Sequence, residues 1–546
     1  MNDKRFTAAV ALIMLFSAYL FLFGLGEMAL TDPDEPFYAE TAKEMMVRGE
    51  WLTPRIFGEP QFEKPAFYYW LIILSYKIFG VNEFGSRFPS AVFGILGILG
   101  VYLLASRLFS RRTGLYASLV MATTLEYIVL ARACVTDMVL CVFILYGFVF
   151  YLDGYMKNDR KAPYLLAAAC FGGAVLTKGP VGLVLPAAII FIYLIAVKDP
   201  KAVLRFPVLA GAAVFLAVTA PWYYLMGKVH GGAFIGHFFG FQNITRFLEP
   251  EHKIGDVFYY YIPIILGGFL PWSVFLPYGT GLIINRDRDF RKQYALLLIW
   301  LAVFFVFFSV SRTKLPTYIF PVFPALAVFM GRFWELSLRT RGFNRAETVS
   351  AVSYIAVMLV SMALACIIVG RKYPFMLKPV TVTCMFVLPC LMASLCSVLF
   401  KKKELFFGSV ALTVAVLALP MVLVMAEPIG AYESSAFAAA EIKKHLEPGD
   451  MVGAETDYRR GVAFYLDTED VPDIHKHDKM TKFFNSDKRA WGVIKDKNHR
   501  QMYTDDKRPF RKSTYVVWRS GKKALVTNKV PPDGHYLKER SIDDPS

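Results

Sequence analysis

About thirteen apolar runs, each close to 20 residues long, follow one another between residues 7 and 425 of this chain. An α-helix rises about 1.5 Å per residue, so roughly 20 apolar residues cross a hydrocarbon core about 30 Å thick. The sequence therefore predicts a polytopic α-helical membrane protein. We place the spans near 7–27, 87–108, 113–132, 138–155, 162–177, 180–197, 206–226, 258–280, 294–310, 316–334, 349–369, 377–399 and 405–425.

The composition of the chain argues against a soluble enzyme. Of its 546 residues, 56% are apolar and 19% are charged, whereas soluble proteins have roughly 45–50% and about 25%. A net charge of +16 is typical of nucleic-acid binding only where the cations form a basic face, and here they form short clusters between apolar runs. We therefore expect no nucleic-acid partner. The seven cysteines lie in or beside apolar stretches and form neither a zinc pattern nor a disulfide framework.

Clusters of Lys and Arg occupy every second junction between the runs, beginning with the N-terminus. Positively charged junctions stay in the cytoplasm, so the N-terminus is predicted to be cytoplasmic and the region after the thirteenth span lies outside. The first run is longer than the 7–15 apolar residues usual in a signal peptide and is interpreted as an anchor. The clusters include Lys4/Arg5, Arg111/Arg112, Lys157/Arg160/Lys161, Lys198/Lys201/Arg205, Arg286/Arg288, Arg339/Arg341 and Lys401/Lys402/Lys403.

Two domains are predicted, a membrane domain over residues 1–427 and an extracytoplasmic α/β domain over 428–546. The membrane domain has two outer loops, 31–86 and 227–257, and the aromatic stretch Phe67–Trp70 in the first is typical of a helix at the membrane interface. In the second domain we expect a helix at Ser434–Leu446 and strands at Ala490–Ile494, Thr514–Trp518 and Ala524–Thr527.

Charged side chains gather on the outer side of the membrane. An ionisable group at a helix centre costs roughly 2.5–3.5 kcal/mol, so such groups in or beside spans point to a function. Cations can hold phosphate oxygens and a carboxylate can position or deprotonate a nucleophile, which suits chemistry at a lipid phosphate. The group comprises Asp32, Asp34, Glu35, Glu40, Glu63, Lys64, Asp137, Lys178, His230, His237, Arg246, His252, Lys253 and Lys314.

Each of these residues also has an ordinary structural explanation. Asp34 and Glu35 before Pro36 are typical of a helix start, and Gly49 would end that helix. Lys178 is typical of a lysine near the end of a span whose ammonium group extends to the membrane interface. Asp137 could cap the span that it begins, and the other charged groups could be solvated loop residues. No His-Glu-x-x-His or comparable spacing marks a metal site among the histidines.

Several longer motifs carry these same residues. The sequence resembles bacterial aminoarabinose transferases, members of the GT-C group of glycosyltransferases that includes protein O-mannosyltransferases, over about residues 5–335. The motifs are Asp32-Pro33-Asp34-Glu35-Pro36-Phe37-Tyr38-Ala39-Glu40, Phe62-Glu63-Lys64-Pro65, Val135-Thr136-Asp137, Leu176-Thr177-Lys178-Gly179, Ile244-Thr245-Arg246-Phe247, His252-Lys253 and Lys314-Leu315-Pro316-Thr317-Tyr318.

The resemblance implies an inverting glycosyltransferase of the bacterial inner membrane, with its active site and C-terminal domain in the periplasm. It would move a sugar from an undecaprenyl-phosphate carrier to lipid A or another lipopolysaccharide component. Other glycans or proteins remain alternative acceptors. Asp34 would be the catalytic carboxylate, with Glu35 beside it. The donor would be held by Lys64, Lys178, Arg246, Lys314 and Tyr318, with Glu63, Asp137, His252 and Lys253 in support.

The family also implies a divalent metal, bound by histidines and by the glutamate that corresponds to Glu63. Asn243 stands where the family has a histidine, and Phe37 stands where the aminoarabinose enzymes have an arginine. The metal and the sugar specificity are therefore left open.

We expect the aromatic run Phe304–Phe308 to face lipid.

Two other function classes remain. A transporter or flippase would have coupling charges near the membrane midplane, often in broken helices. A membrane-anchored sensor would bind its ligand through the C-terminal domain alone.

Overall fold

The architecture is known from a computed structural model, which describes residues 3–156, 160–249, 257–504 and 514–531, with 534, 536 and 537. The α-helices are Asp3–Leu22, Asp34–Arg48, Phe67–Phe79, Glu83–Leu108, Arg111–Ala122, Leu125–Ala131, Asp137–Met156, Lys161–Lys178, Val181–Ala196, Phe206–Ile235, Arg246–Leu248, Tyr261–Gly268, Leu276–Arg286, Arg291–Val310, Phe323–Leu338, Arg345–Lys372, Leu377–Leu399, Lys403–Ala415, Ala418–Pro420, Ala426–Glu433, Ala436–His445, Thr456–Leu466, His477–Phe484 and Asp496–Thr504. Short 3-10 segments lie at Pro200–Leu204, Phe258–Tyr260, Trp272–Phe275, Arg288–Phe290, Pro316–Val322 and Pro374–Met376, and π-helical segments at Gly236–Thr245 and Met421–Met425.

All thirteen predicted apolar runs fall on helical segments, some of them on more than one, and the polytopic helical fold is confirmed. Within the described residues, nine helices are long and apolar enough to cross a membrane, or up to eleven if each of two bent pairs is one span. Two predicted spans fall outside that count. They lie on the helices Lys161–Lys178 and Val181–Ala196, of which the second has only 16 residues. The predicted outer loop 227–257 begins inside a helix, which continues to Ile235 across a break at Gly231 (φ 54°, ψ −132°).

The two bent pairs are held to each other where they break. Helices Arg111–Ala122 and Leu125–Ala131 meet at 68°, and the second pair turns through 106° near Leu270. The N–H of Leu125 donates to the carbonyl of Leu270 at 3.2 Å, and the indole N–H of Trp272 donates to Thr123 Oγ1 at 3.2 Å. These bonds satisfy polar groups that a broken helix would otherwise leave exposed to lipid.

The chain forms two compact units. The first comprises Met1–Leu25, Phe62–Leu71 and Arg87–Met421, and contains most of the long apolar helices. The second comprises Gly26–Gln61, Ile72–Ser86 and Val422–Ser546. The second unit thus includes much of the first outer loop together with the C-terminal region.

The second unit contains a small α/β fold. The strands β1 (Arg55–Ile56) and β2 (Glu59–Pro60) form a hairpin. The strands β3 (Met451–Ala454), β4 (Ala490–Lys495), β5 (Tyr515–Ser520) and β6 (Lys523–Thr527) form a sheet in the order β3-β4-β6-β5. The pair β3-β4 is parallel and the other two pairs are antiparallel. The predicted α/β fold of this region is therefore confirmed, and its core contains Val452, Ala454, Trp491, Val493 and Leu525.

Helix Asp34–Arg48 packs against helix Thr456–Leu466 within this unit. The guanidinium of Arg460 lies 4.5 Å from the centre of the Phe37 ring, and Lys43 forms an ion pair of 2.9 Å with Asp467. Helix Asp34–Arg48 begins at Asp34, two residues before the proline that we expected to open it. As predicted, it ends at Gly49, whose φ of 66° is easily adopted only by glycine.

Candidate active site

A cavity of about 210 Å³ lies among the ends of several helices of the first unit. Asp137 is the first residue of helix Asp137–Met156, and Lys178 is the last residue of helix Lys161–Lys178. Gly179 follows with a φ of 91°, so the chain turns sharply after Lys178 at a position where a side chain would be strained. The polar residues that line the cavity are Glu63, Lys64, Asp137, Lys178, Gln242, Asn243, Arg246, Ser311, Thr313 and Tyr318.

Lys178 and Asp137 form an ion pair inside this cavity. Lys178 Nζ lies 2.6 Å from Asp137 Oδ1, and the two side chains are 13% and 9% exposed. The same ammonium lies 4.9 Å from the centre of the Tyr318 ring, which places the cation over an aromatic face. Lys178 is therefore held between a carboxylate and a ring, and its position is well defined.

Lys64 brings a second cation to the cavity. Its ammonium donates to the carbonyl of Glu63 at 3.3 Å. Burial, together with the charges of Lys178 and Arg246, lowers its pKa to about 8 against the opposing effect of the nearby carboxylates. A bound anion stabilises the charged form of a lysine in these surroundings, because the anion replaces the lost hydration.

Phe62 anchors the loop that carries Glu63 and Lys64. Its ring lies 5.1 Å from the His230 ring and 5.7 Å from the Phe234 ring, between centres. These two residues belong to helix Phe206–Ile235, whose continuation carries the next cation of the site. Aromatic packing thus fixes the loop against that segment.

Arg246 is the third cation of the cavity, directly after the π-helical segment Gly236–Thr245. One of its guanidinium nitrogens donates to Gln242 Oε1 at 2.7 Å. Asn243 Nδ2 donates to the carbonyl of Phe238 at 2.6 Å. Sequence reasoning did not single out Gln242, although its spacing of four residues from Arg246 on a helical segment is a usable signal.

The apolar side of the cavity corrects one expectation. Phe304, Phe307 and Phe308 line it, whereas the run Phe304–Phe308 was expected to face lipid. Residues separated by three and four positions share one face of a helix, so these three rings point the same way from helix Arg291–Val310. Different faces of an apolar helix in a bundle have different surroundings. Composition alone does not show which face contacts lipid and which lines a cavity.

The other predicted site residues are not among the described residues that line the cavity. The side chain of Lys314 is 5% exposed, donates to the carbonyl of Ser311 at 2.7 Å and is not among the described residues that line the cavity. Asp34 and Glu35 belong to the second unit. Asp34 is exposed on the first turn of its helix, and Glu35 accepts hydrogen bonds from the backbone and hydroxyl of Thr31 at 2.9 and 3.0 Å. His252 and Lys253 lie outside the described residues.

The side chains of the described residues do not fit the implied metal. Among residues 3–156, 160–249, 257–504 and 514–531, no three His, Cys, Asp or Glu side chains are close enough to hold a metal ion. The amide of Asn243, in the position of the family histidine, is bonded to Phe238. The described part of the chain therefore lacks the ligand set that the resemblance implies around Glu63.

The cavity is suited to an anion that carries an apolar chain. Three cations (Lys64, Lys178, Arg246) and two carboxylates (Glu63, Asp137) line it, leaving an excess of positive charge. The phenylalanine wall adjoins this polar part. Phosphate oxygens would be held by the cations, and a hydrocarbon chain would contact the rings.

Comparison with known proteins adds independent findings. Residues 63–225 match the family model described as dolichyl-phosphate-mannose-protein mannosyltransferase. An uncharacterized protein of Aquifex aeolicus is 31% identical over 356 residues, 65% of this chain and 69% of that protein. An undecaprenyl phosphate-alpha-4-amino-4-deoxy-L-arabinose arabinosyl transferase of Proteus mirabilis is 32% identical over 338 residues, 61% of this chain and 60% of the relative.

The similarity to a solved structure extends over nearly the whole chain. The crystal structure of ArnT from Cupriavidus metallidurans bound to undecaprenyl phosphate superimposes with a TM-score of 0.77 at 26% sequence identity, covering 96% of this chain and 98% of that one. By sequence, the chain spans about 60% of the length of the arabinosyl transferases that it matches.

Proposed function

This chain belongs to the aminoarabinose transferase-like family of polyprenyl-phosphate-sugar-dependent GT-C glycosyltransferases, and we propose that it transfers a sugar from an undecaprenyl-phosphate carrier to an acceptor of the bacterial envelope. Lipid A is the proposed acceptor, because the matched relatives transfer aminoarabinose and the resemblance implies that acceptor.

One observation supports this proposal most directly: the cavity joins three cations to an aromatic wall. The related ArnT has been crystallised with undecaprenyl phosphate, a ligand of that chemistry. A phosphate with a long hydrocarbon chain needs both surfaces at once, and a soluble sugar nucleotide would need no apolar wall.

The cations have a proposed role in the departure of the carrier. When the bond between sugar and phosphate breaks, negative charge grows on the phosphate oxygens. Lys64, Lys178 and Arg246 stabilise that charge if they contact those oxygens, and this stabilisation is larger in the transition state than in the bound donor. Asp137 and the Tyr318 ring hold Lys178 in place for this purpose. Glu63 lines the cavity beside them.

Asp34 is proposed as the catalytic carboxylate for the acceptor, and this role comes from the resemblance. If the acceptor is a sugar hydroxyl, Asp34 takes its proton as the hydroxyl attacks the anomeric carbon. If the acceptor is a phosphate, hardly any base is needed and Asp34 orients the group. One-step displacement with inversion follows from the family.

We propose that the donor cavity and the C-terminal domain are periplasmic in this multi-span membrane protein, and that the membrane is the bacterial inner membrane. The alternation of positively charged junctions supports this orientation, because the N-terminus and every second junction carry the Lys and Arg clusters. Labelling of a single cysteine placed at the exposed position of Asp34 with a membrane-impermeant reagent tests it.

The proposal is tested with purified protein in proteoliposomes that contain an undecaprenyl-phosphate-linked aminoarabinose and lipid A. We expect transfer to lipid A, detected by mass spectrometry, and strongly reduced turnover in Asp34→Asn. Mass spectrometry of envelope lipids and glycans from cells with and without the gene identifies the sugar and the acceptor. A mass lost from a protein or another glycan instead would replace lipid A as acceptor.

The same proteoliposomes distinguish the transferase from a transporter or flippase. A transferase consumes the carrier-linked sugar without moving solute across the bilayer. Movement of the intact carrier to the other leaflet without transfer would overturn the proposal.

A further inference from the structure

A buried ion pair in the second unit joins the first outer loop to the C-terminal sheet. Asp32 Oδ2 accepts hydrogen bonds from Ser435 Oγ at 2.6 Å and from Lys523 Nζ at 3.2 Å. The side chains of Asp32 and Lys523 are 3% and 4% exposed. Lys523 is the first residue of β6, and Asp32 lies two residues before Asp34. Two residues 491 positions apart in the chain are thus in direct contact.

The backbone around Asp32 is tied to the same region. The N–H of Asp32 donates to the carbonyl of Glu433 at 3.0 Å, and the N–H of Leu30 donates to the hydroxyl of Tyr465 at 2.7 Å. A Cβ atom added at Gly461 would overlap Asp32 Oδ1. The carboxylate therefore occupies a close-fitting place with little room to move.

The charges of the pair depend on each other. Burial, with a contribution from the charge of Glu433, raises the pKa of Asp32 to about 7 against the lowering effects of Lys523 and of the hydrogen bond from Ser435. Burial lowers the pKa of Lys523, against the pull of Asp32, and the Lys523 ammonium lies 5.3 Å from the centre of the Tyr458 ring. Removing one partner leaves an uncompensated buried charge, which must gain or lose a proton or move toward water.

We propose that Lys523 and Ser435 are positioning residues that hold Asp32, and through it fix Asp34 at the start of helix Asp34–Arg48. The C-terminal domain is then part of the transfer machinery. This inference rests on the proposed role of Asp34, and neither residue is assigned contact with substrate. A carboxylate that acts in the transition state must be held closely, and a displacement of about 1 Å can lower a rate roughly a hundredfold.

The test compares full-length wild-type protein with Lys523→Met, Lys523→Arg and the matched control Lys522→Met in proteoliposomes. Lys522 is an exposed lysine in the turn just before β6. We expect Lys523→Met to lose roughly tenfold to a hundredfold in kcat, while the KM for the donor changes less than about twofold. Lys523→Arg should recover most of the loss, because it keeps the charge, and Lys522→Met should behave as wild type.

Hydrogen exchange of the peptide over residues 30–38 provides a readout that needs no turnover. We expect faster exchange there in Lys523→Met than in wild type or Lys522→Met. Gly461→Ala is a second variant, which displaces the Asp32 carboxylate while keeping both charges, and it should change kcat and exchange in the same direction. Unchanged exchange in both variants would overturn the inference.

The outcomes separate the inference from the function on which it rests. Wild-type turnover in Asp34→Asn would remove the catalytic role of Asp34, and with it the catalytic part of the inference. An inactive Asp34→Asn beside a Lys523→Met variant with normal kcat would overturn the positioning role alone. A further outcome is a Lys523→Met variant that loses both kcat and affinity for the donor. If Lys523→Arg does not recover these losses, they indicate general misfolding and count against the positioning role.

Discussion

Lys178 Nζ lies 2.6 Å from Asp137 Oδ1, although the two residues are 41 positions apart in the chain. One residue ends a helix and the other begins one. The contact therefore ties two helix ends together at the polar side of the cavity. Its cation also faces the Tyr318 ring, so three elements of the first unit converge on one ammonium group.

We expect Lys178→Met to destabilise the protein by about 2–4 kcal/mol, because it leaves Asp137 in the cavity without this cation. The double variant with Asp137→Asn should lose less than the sum of the two single variants, since neither charge is then left alone. Thermal unfolding in nanodiscs measures these effects. Lys228→Met, at an exposed lysine of the same unit, is the control, and strictly additive losses would contradict the coupling.

Two variants of Tyr318 distinguish a role of its ring from a role of its hydroxyl. Its face is 4.9 Å from the Lys178 ammonium, so the ring should be sufficient for that contact. We expect Tyr318→Phe to change the KM for the donor less than about threefold, and Tyr318→Leu to raise it roughly tenfold, in line with a cation–π contact worth about 1 kcal/mol or more. Initial rates at varied donor concentration give both values. An equal rise of the donor KM in Tyr318→Phe and Tyr318→Leu would assign the role to the hydroxyl instead.

The pKa of Lys64 predicts how donor binding depends on pH. Since burial lowers this pKa to about 8 in the free protein, the ammonium is charged below about pH 8 and loses its charge above it. A phosphate monoester keeps its charge from about pH 7 upward, because its second pKa is near 6. The Kd for undecaprenyl phosphate should therefore be constant near pH 7 and rise about tenfold per pH unit above pH 8.

Lys64→Arg provides the matched comparison for this pH dependence. Guanidinium keeps its proton at every pH used, so the variant should bind undecaprenyl phosphate with no weakening between about pH 8 and pH 9.5. Calorimetric titration in nanodiscs measures both proteins. An identical rise of the Kd in Lys64→Arg would show that another group titrates.

The helical fold could be predicted because each span must satisfy the same physical requirement. A run of about 20 apolar residues has no alternative to a helix in lipid, and all thirteen runs fall on helices. The strands of the C-terminal sheet were predicted where β-branched and aromatic residues are dense, as in Tyr515–Ser520. The strand β3 was missed, because its four residues include Gly453 and carry little periodicity.

The site was only partly predictable, because sequence places a residue on a helix end without giving the direction of its side chain. Asp137 and Lys178 were expected near one another and are in contact. Lys314 was expected beside them, but its ammonium is taken up by the carbonyl of Ser311. The aromatic wall was missed, since Phe304, Phe307 and Phe308 have the composition of a lipid-facing surface.

Glu40 gives the second unit a pH-dependent stability. Its carboxylate lies 3.2 Å from Lys43, which also pairs with Asp467. Burial, with the nearby charges of Glu44 and Asp467, raises the pKa of Glu40 from 4.5 to about 7 against the lowering effect of Lys43. The native state therefore holds this proton up to about pH 7, while the unfolded state releases it near its ordinary pKa.

Unfolding then releases a proton between about pH 4.5 and pH 7, so this group's contribution to stability falls as the pH rises through that window and is level above it. Glu40→Gln cannot ionise and should lack this dependence. We expect the Tm of Glu40→Gln relative to wild type to rise from pH 5 to pH 7 and to stay constant from pH 7 to pH 8. Glu59→Gln, at an exposed glutamate of the same unit, is the control. A Tm difference between Glu40→Gln and wild type that stays flat from pH 5 to pH 7 would show that Glu40 ionises normally, with Lys43 compensating fully for its burial.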